Sequence, residues 1–121
     1  MMTKAQALQY FWNKFGTAYD QNTVPEDAKF PRITYESATD SFGQSILLTA
    51  SIWDRSTSWA TVEGLSSQIS NEIGCGGTTI PYEDGMLWIK RGTPFSQRMG
   101  DEDDSIRRIV INIEADYLSV N

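Results

Sequence analysis

Four consecutive carboxylates, Asp101-Glu102-Asp103-Asp104, are the densest concentration of reactive groups in this 121-residue chain. Acids that hold calcium are spaced at alternate positions around a glycine, so that several oxygens converge on one ion. Adjacent acids in an extended segment point alternately apart, and all four cannot meet at one centre. A metal-dependent hydrolase built on residues 101–104 is therefore a remote alternative, and no metal ligand is assigned. Arg98, Arg107 and Arg108 flank the run. They either pair with its acids, exposed pairs of this kind contributing roughly 0–1 kcal/mol each, or engage opposite charges on a neighbouring subunit and set partner choice and register.

Other chemistry is sparse. The chain has no histidine, which removes Ser-His-Asp and Cys-His arrangements, the usual neutral-pH base and most zinc sites. Cys75 is the single cysteine, so an internal disulfide is impossible. It sits in Gly74-Cys75-Gly76-Gly77 with no adjacent positive charge to activate a thiolate, and reads as a small residue in a turn. Those glycines lack the Lys-Ser/Thr that follows a phosphate-cradling loop. An enzyme is not indicated, and no catalytic residue or cofactor is expected. Ten basic and sixteen acidic residues give a net charge of −6, a sign that argues against gripping nucleic acid by phosphate neutralisation. No apolar run approaches the ~20 residues of a membrane span, and synthesis in the cytoplasm is the expectation.

Positioning these groups falls to a chain that reads as one α+β domain over residues 1–121. Leu8, Phe11, Trp12, Phe15 and Tyr19 fall on one stripe of a helix predicted over 4–20. Ile33–Ala38 and Ser45–Trp53 read as a hairpin, joined through a turn at Asp40-Ser41-Phe42-Gly43-Gln44. Val62, Leu65, Ile69 and Ile73 repeat at helical spacing, and Gly74 supplies a terminator. Gly64, inside this second helix, is expected at a point of close packing. Thr78–Tyr82 is a short strand whose Pro81 favours a sheet edge, and Asp84-Gly85 turns the chain into Met86–Arg91. In the last strand Ile109, Ile111, Ile113, Ala115 and Tyr117 share one side and Asn112, Glu114 and Asp116 the other, a period of two with one buried face. The order is α-β-β-α-β-β-β: two helices packed on a mostly antiparallel sheet, with a long charged loop, 92–108, before the last strand.

Phe42-Gly43-Gln44-Ser45, Ser51–Trp59, Arg91–Met99 and Asp103–Arg108 together resemble a group of small tailed-phage and prophage tail-completion, tail-terminator and minor structural proteins. Trp53-Asp54-Arg55-Ser56-Thr57-Ser58-Trp59 is the most distinctive stretch, and the likeness covers most of residues 30–120. The resemblance implies a structural virion protein of the tail or neck, assembled in the host cytoplasm. It would form a ring, commonly a homo-hexamer, at the head-proximal end of the tail tube, halting tube polymerisation and joining the tail to the head connector. Its partners would be its own copies, the major tail tube protein and the head-tail connector protein. DNA would pass through without specific binding, and no membrane is involved. A head-tail adaptor, neck or minor capsid protein is the alternative.

Under this reading Trp53, Arg55, Trp59, Phe95, Arg98, Met99, Arg107 and Arg108 are candidate subunit or partner contacts, since aromatics and arginines are enriched at interface hot spots. The tryptophans are equally compatible with a core role. Asp101, Glu102, Asp103 and Asp104 would line a lumen and repel DNA phosphates.

Overall fold

Thr3 sets the start of the first helix: its hydroxyl accepts from the Gln6 N–H at 3.2 Å while the Gln6 side chain accepts from the Thr3 N–H at 2.9 Å. This reciprocal cap satisfies two donors that a helix start leaves open. The helix, α1 (Lys4–Asn13), buries Ala7, Leu8, Phe11 and Trp12. The computed structural model describes residues 1–39 and 44–120. The turn expected at Asp40-Ser41-Phe42-Gly43, and the Phe42-Gly43 part of the family likeness, lie outside the described residues.

The described chain forms α1, then β1 (Ala18–Asp20), β2 (Arg32–Tyr35), β3 (Ile46–Arg55), α2 (Ala60–Ile73), β4 (Thr78–Tyr82), β5 (Gly85–Met99) and β6 (Ile106–Ser119). The six strands make one sheet in the order β1-β2-β3-β6-β5-β4. Every pairing is antiparallel except β1 with β2. The α+β class, the two helices and the mostly antiparallel sheet are those read from the sequence.

Two boundaries differ. The first helix stops at Asn13 rather than residue 20, because Gly16 takes a φ of 151° and the Asn13 side chain accepts from the Ala18 N–H at 3.0 Å, starting a strand. Phe15 still packs against the core, but Tyr19 belongs to β1. The charged segment 92–108 is not a long loop. β5 continues to Met99 and β6 starts at Ile106, so the connection is only Gly100–Ser105.

Alternation works as expected in the strands that cross the core. Ile33 and Tyr35, Leu48, Ala50 and Ile52, Ile80 and Tyr82, Leu87 and Ile89, and Ile109, Ile111, Ile113, Ala115 and Tyr117 turn inward onto the helices. Each large side chain so buried contributes about 1.5–3 kcal/mol. Pro81 lies on an edge strand, as its missing N–H requires. Lys14 meets Glu72 at 2.9 Å, tying the end of α1 to the end of α2 on the shared face. Gly64 does not mark close packing: a Cβ built there meets nothing within 4 Å. The opposite face of the sheet carries no helix. Leu47, Met86 and Leu118 lie on it, 70%, 42% and 51% exposed.

Candidate functional site

Most of the residues singled out from the sequence come together at one end of the sheet, where β3 and β5 finish and β6 and α2 begin. A bulge in β5 decides their directions. Arg91 faces Ile113 and Ser96 faces Ile111, so residues 92–95 stand opposite Asn112 alone. The Asn112 side chain donates to the Pro94 carbonyl at 2.9 Å. Gly92 is required beside it, since a Cβ there would lie 2.8 Å from the Asn112 carbonyl oxygen. Phe95 packs partly against the core. An odd number of extra residues reverses the inward and outward sense of the strand. Inward positions are Leu87, Ile89 and Arg91 before the bulge, and Ser96 and Arg98 after it.

Arg98 therefore reaches the start of α2. Its Nε donates to Glu63 at 2.7 Å, and its guanidinium lies 4.6 Å from the centre of the Trp59 ring. Arg107 approaches the same ring at 5.4 Å while donating to the carbonyls of Asp104 and Thr57 at 2.8 and 3.0 Å. On the helix-free face Arg108 stacks 4.5 Å from the Trp53 ring and donates to Ser51 Oγ at 3.1 Å. Trp53 donates its indole N–H to Thr34 at 2.9 Å. Neither tryptophan is in the buried core; both are half-buried platforms under arginine. Met99 lies opposite Arg108 and is 41% exposed.

Arg55 joins the strands to the acidic tip. It approaches Asp103 at 3.6 Å, donates to Ser105 Oγ at 3.2 Å and lies 5.0 Å from the Phe30 ring. Arg32 lies 4.3 Å from that ring. Phe30, Arg32 and Glu63 are thus part of the cluster and were not singled out from the sequence. The only signals their sequence offers are Phe30-Pro31-Arg32 immediately ahead of the strand at Ile33 and an acid, Glu63, near the start of the second helix.

The four tip acids are exposed. Asp101 accepts from the Asp103 N–H at 2.9 Å, and Asp103 accepts from Ser105 N and Oγ at 2.9 and 2.6 Å. The Ser105 bonds, with the Arg55 charge, hold the Asp103 carboxyl below its ordinary range. Among the described residues no three acid or cysteine side chains gather where they could hold a metal ion. Nor is any helix among them long and apolar enough to cross a membrane. Arg98, Arg107 and Arg108 do not reach carboxylates of the tip; their partners are Glu63, backbone carbonyls and Ser51. The arrangement is a chemically mixed surface of cations over aromatic rings with an acidic projection beside it.

No protein-family model matches the chain, and no curated protein matches it. Among solved structures, a chain in the virion of a native gene transfer agent particle superposes with a TM-score of 0.59 over 98% of this chain and 100% of that one, at 17% sequence identity. This chain shares its fold with a virion protein. The superposition spans nearly the whole of both chains, so the likeness is not confined to one hairpin. At that identity it speaks of the fold alone.

Proposed function

We propose that this chain is a structural subunit of a phage-type virion, and within it a tail terminator. In this reading copies form a ring, commonly of six, on the head-proximal end of the tail tube. The ring stops tube growth and offers a surface to the head connector. The fold shared end to end with a virion chain carries the proposal. The absence of histidine from the sequence agrees with a protein that acts by binding, without a catalytic step. The arginines over Trp53 and Trp59 are assigned to the directional contacts that ring neighbours need, each guanidinium carrying N–H donors beyond those bonded within the chain. The tip acids, mostly without cation partners of their own, are assigned to the lumen, where negative charge lets DNA slide past.

The test is to mix purified protein with tail tubes and image the product. A six-fold ring on one tube end, with tube length limited, is the expected result. A twelve-fold ring that binds portal instead would identify a head-tail adaptor. A chain that stays monomeric in the presence of tubes would sink both readings. Metal-dependent stabilisation, with hydrolysis lost on changing Asp103 and Asp104, would instead mark an enzyme.

A further inference from the structure

The strand registers line up across the sheet. Ala18 faces Ile33, Ile33 faces Ile52, Ile52 faces Ile109, and Ile109 faces Arg98. Asp20 lines up through Tyr35, Ala50 and Ile111 with Ser96 in the same way. This row begins at β1, one edge of the sheet, and ends at the far half of β5. That half is also an edge, because β4 covers β5 only from Gly85 to Ile89.

The direction of the backbone groups follows from the ladder. Successive residues of an antiparallel strand turn their N–H and C=O to opposite sides. The Glu36 N–H donates to the Thr49 carbonyl at 3.0 Å, so odd-numbered residues of β3 face β2 and even-numbered ones face β6. Carried through the registers, Gln97 bonds toward β6 while Ser96 and Arg98 turn their backbone groups outward. At the other edge, Ile33 N–H donates to Thr17 and Gln21 N–H to Tyr35, both at 2.9 Å. That leaves Ala18 and Asp20 facing out. Asn13 takes the Ala18 N–H and Thr23 N–H takes the Asp20 carbonyl. The Ala18 carbonyl and Asp20 N–H have no partner among the described residues, and neither do the backbone groups of Ser96 and Arg98.

We propose that copies of this chain join edge to edge, residues 96–98 of one β5 adding antiparallel to residues 18–20 of the next copy's β1. The Arg98 N–H would donate to the neighbour's Ala18 carbonyl, and the neighbour's Asp20 N–H to the Ser96 carbonyl. β5 runs opposite to β1, so head-to-tail continuation of the sheet produces the antiparallel pairing without turning either copy over. Opposite charges meet as well: Asp20 and Arg98 project from the helix-bearing face at diagonal positions. An open groove of about 340 Å³ beside β1, lined by Ala5, Gln6, Gln9, Asp20 and Tyr35, leaves room for the neighbour's inward side chains. Because the two edges are different surfaces, the contact is heterologous and repeats around a ring.

The inference rests on the ring reading above but fails separately from it. Tyr19 and Gln97 would face each other as a non-hydrogen-bonded pair with Cα atoms about 4.5 Å apart, within disulfide reach. In a Cys75→Ser background, Tyr19→Cys/Gln97→Cys assembled on tail tubes and oxidised should give a ladder of covalent multimers on a non-reducing gel. Each single-cysteine variant should stop at dimers. Asp20→Pro removes an outward N–H at an edge, a position that tolerates proline. It should leave a folded monomer whose assembly needs up to ~10-fold more protein, the order of one lost interface hydrogen bond. Normal rings without a ladder, or Asp20→Pro rings at the wild-type concentration, overturn edge pairing and leave the ring intact. A wild-type chain that never assembles overturns both.

Discussion

Trp59 shows how a single side chain sets up its surroundings. Its ring takes Arg98 on one approach and Arg107 on another, while its backbone opens α2. Stacks of this kind contribute about 0.5–1 kcal/mol each at exposed sites. A double-mutant cycle of Trp59→Ala with Arg107→Ala, followed by chemical denaturation, should therefore return a coupling of about 0.5–1 kcal/mol. A coupling near zero would reduce the stack to proximity. Tyr117 answers to pH. Burial, with a smaller contribution from Tyr82, pushes its hydroxyl up to about 12, and the hydroxyl donates to the Ala38 carbonyl at 2.8 Å. A group bound more tightly to its proton when folded contributes stability that is complete below the unfolded value, about 10. That contribution is lost as pH rises from about 10 through about 12. Tyr117→Phe should flatten the fall in melting temperature over that window.

At the scale of elements the bulge in β5 matters most. Gly92→Ala would drive a Cβ to within 2.8 Å of the Asn112 carbonyl. Overpacking of this sort costs about 1–3 kcal/mol, and thermal denaturation should show it. Gly64→Ala should act in the opposite sense, stabilising by up to ~1 kcal/mol, since the site is open and alanine is the better helix former. Strands β6, β5 and β1 show what could be read in advance and what could not. Ile109 to Tyr117 alternate over a buried face, so both the strand and its inward side were legible in the residue pattern. Beyond Arg91 the bulge breaks the period of two. From Ser96 to Met99 the side chains are exposed on either face, so no burial contrast was left to write a strand into the sequence. β1 was hidden for another reason: Phe15 and Tyr19 continue the helical spacing of Leu8, Phe11 and Trp12 across Gly16, where the backbone departs from a helix. Of the candidate site, the arginines and tryptophans were visible by type. Their pairing was not, because Arg98 finds Glu63 only after the bulge has turned it inward.

In the whole molecule the helices occupy one face and the strands' polar residues the other, where Lys90 bridges Glu114 and Asp116 at 3.8 and 3.0 Å. Burial acts to raise the Asp116 carboxyl, but Ser45 at 2.7 Å and Lys90 outweigh it and hold it below its usual range. The sheet order has a consequence for how the molecule comes into being. β6 lies between β3 and β5 and pairs with both along most of its length, yet it is synthesised after either. Until Ile106–Ser119 has emerged from the ribosome, the nascent chain holds two separate strand groups and no continuous core. Arrested chains ending at Asp104 should accordingly be digested by protease as readily as unfolded protein, whereas those displaying β6 resist. In the proposed edge-to-edge assembly, the β5 edge at residues 96–98 is held in place only once β6 pairs with it, so unfinished chains would lack that joining edge.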